Sequence, residues 1–141
     1  MNGTIVIDGS WEGILLEEPL SLNIEEGMVV NISGGQIANE IEESFEMAKA
    51  GIRSSKKDLI WTVAEFGFGM NPKANELVGN RVEDLVLRGG AYFGFGDNTH
   101  LGGSARVGIH QRGTMRAPEV LLEETTIISE GKVSVLSLIH I

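Results

Sequence analysis

Glycine fills 19 positions of this chain and proline only 3. Its turns are therefore made mostly by residues that tolerate positive φ, not by residues that fix it. Many short elements are implied. Ile5-Val6-Ile7 reads as a strand closed by the Asp8-Gly9 turn. Leu20, Leu22 and Ile24 alternate with Ser21, Asn23 and Glu25 before Glu26-Gly27, and residues 28–32 follow as the next strand. The opening third is expected to be an antiparallel meander of hairpins.

A different period takes over after Gly34-Gly35. Ile37, Ile41, Phe45, Ala48 and Ile52 recur at steps of three and four, with Glu40, Glu42, Glu43 and Glu46 between them. This predicts one principal helix over residues 37–50, ended by Gly51. Residues 54–58 read as a polar connection, and residues 59–64 as a buried strand leading into Glu65. Asn71-Pro72-Lys73 makes a turn, and residues 81–88 are expected to form two helical turns before Gly89-Gly90. Short strands return at 91–95, 107–115, 120–122, 126–128 and 132–138, with a hairpin turn at Glu130-Gly131-Lys132 and a loop over 99–106. The expected fold class is α+β and β-dominated, with antiparallel sheets and one principal helix, in a single domain over residues 1–141.

Composition narrows the functions. Twenty acidic against 11 basic residues give a net charge of −9, so a nucleic-acid backbone is repelled on average. The absence of cysteine excludes disulfides, thiolate metal sites and a cysteine nucleophile. No stretch reaches the roughly 20 apolar residues of a membrane span, and the first residues lack the pattern of a signal peptide. A cytoplasmic location is expected, with no membrane and no nucleic acid as partner.

Few residues can carry chemistry. Glu65 follows an apolar run and precedes Phe66-Gly67-Phe68-Gly69, the kind of place where a buried ligand or an ion pair sits. His110 falls in a strand. His100 falls in the turn-rich stretch after Asp97-Asn98, where an exposed loop imidazole is the ordinary outcome. His140 lies beside the C-terminal residue, where chains commonly fray. Glu83 and Asp84 are adjacent and cannot share a helical face. Gly67-Phe68-Gly69 lacks the third glycine of a dinucleotide fingerprint, and neither a P-loop nor a nucleophile elbow is present.

The string Ala64-Glu65-Phe66-Gly67-Phe68-Gly69-Met70-Asn71-Pro72-Lys73-Ala74 resembles the Ala-Glu-x-Gly-x-Gly-x-Asn-Pro-x-Ala signature of aminopeptidase T-like proteins, a group that includes the dihydroxypyridine ring-opening dioxygenases. Further similarity runs through Gly79-Asn80, Glu83-Asp84, Phe95-Gly96-Asp97-Asn98, Leu101-Gly102-Gly103, Ile109-His110, Ala117-Pro118-Glu119-Val120 and Glu130-Gly131-Lys132. Asn2-Gly3-Thr4-Ile5-Val6-Ile7-Asp8-Gly9 is similar to the start of that family's C-terminal, β-rich domain, which in its members follows an N-terminal α/β domain.

The resemblance implies Glu65 and His110 as metal ligands. Two further ligand positions of the pattern are occupied by Tyr92 and Arg112, and a guanidinium cannot be a metal ligand. Asp97 and His100 are the candidate substitutes, and a Glu65–Arg112 ion pair is the competing use of the site. The expectation is therefore a non-catalytic module without cofactor, acting by self-association as a homo-oligomer or by ligand binding. The alternative is a metal-dependent aminopeptidase-like hydrolase or ring-opening dioxygenase. It would use zinc or ferrous iron and would be completed by a partner chain that carries the N-terminal domain, or by the substitute ligands.

Overall fold

Alternation of apolar and polar residues sets the first sheet. The computed structural model describes residues 2–52, 55–122, 125–129 and 132–133. It begins with strands β1 (Gly3–Ile7), β2 (Ser10–Trp11), β3 (Ile14–Leu15), β4 (Leu20–Glu25) and β5 (Met28–Ser33). Strands β1, β4 and β5 pair antiparallel in that order, with Ile5 opposite Leu22 and Ile7 opposite Leu20. Period-2 patterning thereby sends Ile5, Ile7, Leu20, Leu22 and Ile24 to one buried face. The expected simple meander is interrupted. Strands β2 and β3 leave this sheet and form one edge of a second one.

Helix α1 (Gly35–Ala50) covers the core with Ala38, Ile41 and Phe45, the stripe its three-and-four spacing requires. The chain enters it through Gly34 at φ 128°, where a Cβ would collide with the carbonyl oxygen of Pro19. The entry therefore needs glycine. A 3-10 helix at Ser55–Trp61 replaces the expected polar connection and the first residues of the expected strand. Ile60 is fully buried there and Trp61 stacks on Phe45, with ring centroids 4.3 Å apart. Tertiary packing overrides the strand propensity of these residues.

Strand β6 (Val63–Phe68) consequently starts later than its sequence suggests and carries Glu65 inside it. The two helical turns expected over 81–88 reduce to a 3-10 turn at Asp84–Val86. Side-chain acceptors compete with the helix here. Asn80 Oδ1 accepts the N–H groups of Val82 and Glu83, and Asp84 Oδ1 accepts that of Val78.

Strands β7 (Ala91–Gly96) and β8 (His110–Met115) complete an antiparallel five-stranded sheet in the order β3-β2-β8-β7-β6. The strand expected from residue 107 begins at His110, because the N–H groups of Val107 and Gly108 are used by the Asp97 carboxylate. Phe95 is fully buried and stacks on Trp11 at 5.4 Å, joining this sheet to the core formed with β1 and β4.

Strands β9 (Val120–Leu122), β10 (Thr125–Ser129) and β11 (Lys132–Val133) form a third antiparallel sheet in the order β11-β10-β9. The remainder of the expected 132–138 strand, the turn at Glu130-Gly131 and His140 lie outside the described residues. The fold is α+β, β-dominated and antiparallel, with one principal α-helix, as expected. No helix among the described residues is long and apolar enough to cross a membrane.

Candidate metal centre

Three adjacent strands assemble the site by register. Glu65 of β6 stands opposite Gly94 of β7, just after a β-bulge, and Gly94 stands opposite Arg112 of β8. Alternation places Tyr92, two residues before Gly94, and His110, two residues before Arg112, on this same face. Phe93 and Phe95 point the other way, toward the core.

Gly94 supplies the room. A Cβ there would lie 2.7 Å from His110 Nε2 and 2.9 Å from Glu65 Oε2, so the two side chains meet over a bare backbone position. Gly67 plays the same part for Tyr92, whose ring occupies the place a Cβ would take. Neither glycine stands out in the sequence as a site residue. The signal was an isolated glycine inside an otherwise aromatic strand.

Glu65 is the hub. Its Oε2 lies 2.9 Å from His110 Nε2, 3.8 Å from His100 Nε2 and accepts a 2.8 Å hydrogen bond from Arg112 Nε. Its Oε1 accepts the Tyr92 hydroxyl at 3.2 Å. Burial raises the carboxyl pKa, but the hydrogen bond and charge of Arg112, with the contact to His110 and the Tyr92 hydroxyl, outweigh it and hold Glu65 below the usual carboxylate range. The Tyr92 phenol is pushed up by burial and by the Glu65 charge, so it is a neutral donor at pH 7.

The loop after β7 brings in the second histidine. Asp97 Oδ1 accepts the N–H and hydroxyl of Thr99, and its Oδ2 accepts the N–H groups of Val107 and Gly108. Asn98 Oδ1 accepts the N–H of Ala105. These bonds close the loop and set His100 against His110, edge to face, with ring centroids 4.9 Å apart. The same bonds hold the Asp97 carboxyl far below its ordinary value. Asp97, considered as a substitute ligand, thus spends its carboxylate on the loop and stands outside the cluster. Its backbone oxygen accepts from His110 Nδ1 at 2.7 Å.

Glu65, His100 and His110 remain. One donor atom from each lies within 4.8 Å of the others. Because a carbonyl can only accept, the bond to Asp97 fixes the proton of a neutral His110 on Nδ1 and leaves the Nε2 lone pair facing Glu65 Oε2. Two acceptors 2.9 Å apart require a proton or a cation between them. Two imidazoles and one carboxylate, with the outward nitrogen of one imidazole anchored to a backbone carbonyl, suit a divalent transition metal. The Arg112 hydrogen bond is compatible with that use, since a carboxylate oxygen has a second lone pair. The residues present fit a metal ion.

Residues 1–135 match the family model described as 2,5-dihydroxypyridine 5,6-dioxygenase. No curated protein matches. The solved structure of the 2,5-dihydroxypyridine dioxygenase from Pseudomonas putida KT2440 is similar, with a TM-score of 0.78 at 20% identity. The match covers 94% of this chain and 40% of that one. The dioxygenase side of the sequence resemblance is thereby the one supported, and no comparison supports the aminopeptidase side. The expectation of no cofactor is overturned. The matched family is one of dioxygenases, and Glu65 and His110, together with His100, one of the two candidate substitutes, form a group that could hold a metal ion.

Proposed function

Since this chain belongs to the 2,5-dihydroxypyridine 5,6-dioxygenase family, we propose that it is the metal-binding portion of a ring-opening dioxygenase for dihydroxylated N-heteroaromatic rings. The observation that carries this reading is the convergence of Glu65, His100 and His110 within 4.8 Å. Their two-histidine, one-carboxylate set is that of non-haem ferrous oxygenases. The chain spans 40% of the length of the similar dioxygenase.

A ferrous ion held there supplies the redox chemistry by which dioxygen reacts with an electron-rich ring. The chain's own residues prepare the place. Arg112 keeps Glu65 ionised and turned toward the histidines. The Asp97 carbonyl fixes the tautomer and orientation of His110. The His100 side chain is 44% exposed and Glu65 only 12%, so the open side of the centre lies at His100.

The test is metal uptake by the apo-protein, measured by elemental analysis and chelator competition with ferrous iron and zinc. One equivalent bound by the wild type, and lost in Glu65→Gln and His110→Ala, is the expected result. No uptake at millimolar metal would refute the reading. It would leave the second one, a non-catalytic module whose Glu65 is satisfied by Arg112, which the 2.8 Å contact favours.

A further inference from the structure

Arg112 has more donors than the protein uses. A guanidinium carries five N–H groups in a planar fork. Its Nε binds Glu65, while among the described residues the two terminal nitrogens make no hydrogen bond or ion pair. The nearby carboxylate of Glu12 is otherwise engaged. Its Oε2 accepts the backbone N–H of Arg112 at 3.1 Å, and its Oε1 pairs with Arg81 at 3.4 Å. In a chain with 20 acidic residues, the Arg112 side chain is 30% exposed and its terminal nitrogens are left without an acidic partner among the described residues.

Electrostatics point the same way. A divalent ion on two neutral imidazoles and one carboxylate, with Arg112 beside it, leaves an excess of positive charge on this face. An incoming anion would neutralise it. His110 and Arg112 sit two residues apart on one face of β8, a Cα separation of about 7 Å. Their side chains converge, with Arg112 Nε 2.8 Å and His110 Nε2 2.9 Å from the same Glu65 Oε2, so an aromatic ring whose hydroxyl reaches the centre brings an adjacent acidic substituent to the fork.

We propose that Arg112 is a substrate-positioning residue that pairs through its terminal nitrogens with a carboxylate borne on the aromatic ring. Among the dihydroxylated rings of that reading, the substrate is therefore one that also bears an acidic substituent, not a neutral diol. This rests on the metal-centre reading for the ring's second anchor, and on Arg112 alone for the carboxylate. Bidentate guanidinium–carboxylate pairing is both strong and directional, and an ammonium reproduces its charge but not its geometry.

The experiment is calorimetric titration of the 141-residue chain, metal-free and zinc-loaded, with 2,5-dihydroxybenzoate and with hydroquinone, the same ring without the carboxylate. Zinc is used because it is redox-inert. The wild type should prefer the carboxylated ring by at least about tenfold, and the preference should shrink as salt rises. R112Q should abolish the preference and R112K should retain part of it.

Equal binding of the two probes, binding of neither, or an unchanged preference in R112Q would overturn the proposal. If R112Q fails to fold by circular dichroism, R112K decides, and its retention of the full preference would refute the bidentate pairing. Zinc uptake, measured on the same samples, separates the two readings. An Arg112-dependent preference without zinc uptake sustains this proposal and refutes the metal centre, whereas uptake without any preference does the reverse.

Discussion

Replacing Gly94 by alanine adds one methyl group at the point where Glu65 and His110 meet. The backbone accepts it, because Gly94 is absent from the positive-φ glycines. The side chains do not. The new Cβ would stand 2.7 Å from His110 Nε2, 2.8 Å from its Cε1 and 2.9 Å from Glu65 Oε2, whereas ordinary contact begins at 3.4 Å. The ring must withdraw by about 0.7 Å, against a tolerance of roughly 0.2 Å in metal–ligand distances.

Metal affinity should consequently fall about 10–100-fold, or about 1.4–2.7 kcal/mol. Stability of the metal-free fold should change much less. Overpacking costs about 1 kcal/mol or more where a largely buried ring must yield, and the reduced entropy of the unfolded chain offsets part of that. Chelator competition gives the first quantity and urea denaturation of the metal-free protein the second. A folded Gly94→Ala protein whose affinity lies within twofold of wild type would refute the reasoning, because Gly94 would then not be what admits both ligands.

Glu65→Gln tests the ion pair through pH. The Glu65 carboxyl is held low in the folded state, so its stabilisation is present above the unfolded value and is lost as pH falls through the folded one. The variant should be less stable than wild type by about 2 kcal/mol at pH 7, with the gap closing on acidification. A gap that stays constant down to pH 3 would contradict it. Asp97→Asn puts an amide donor against N–H groups that now meet a carboxylate. It should lower Tm by roughly 5 °C and weaken metal binding by loosening the loop that carries His100. Unchanged thermal scans and zinc affinity would show that the loop does not depend on that carboxylate.

Legibility in the sequence followed the range of the forces involved. The strands around Ile5, Leu22 and Val29 and the helix of Ile41 and Phe45 were readable, because a single period decides which side is buried. The segments at 55–61 and 81–88 were not. A distant aromatic partner for Trp61 in one, and acceptors from Asn80 and Asp84 in the other, outcompete local propensity.

The site divides in the same way. Glu65 and His110 were visible as chemistry-bearing residues, and the Glu65–Arg112 contact was visible only through the family resemblance, which puts a guanidinium at a ligand position. His100 reads as an ordinary loop residue until the Asp97 and Asn98 bonds fold that loop back over β8. Asp97 carries the opposite lesson, since a carboxylate near a metal centre can be engaged entirely in holding backbone. The role of Gly94 depends on strand register, which sequence periodicity does not provide.

The division of the five-stranded sheet into two faces has an evolutionary consequence. Phe93, Phe95 and the positions under Trp11 hold the molecule together on one side, while Glu65, Tyr92, His110 and Arg112 meet on the other and bear little of the core. Exchanges on the second side can therefore accumulate without unfolding the protein. A lineage can pass from one ligand set to another, or from metal binding to ion pairing and back, through folded intermediates. A protein engineer has the same freedom: the outward positions of β6, β7 and β8 form a rewritable panel on a backbone whose integrity is secured from behind.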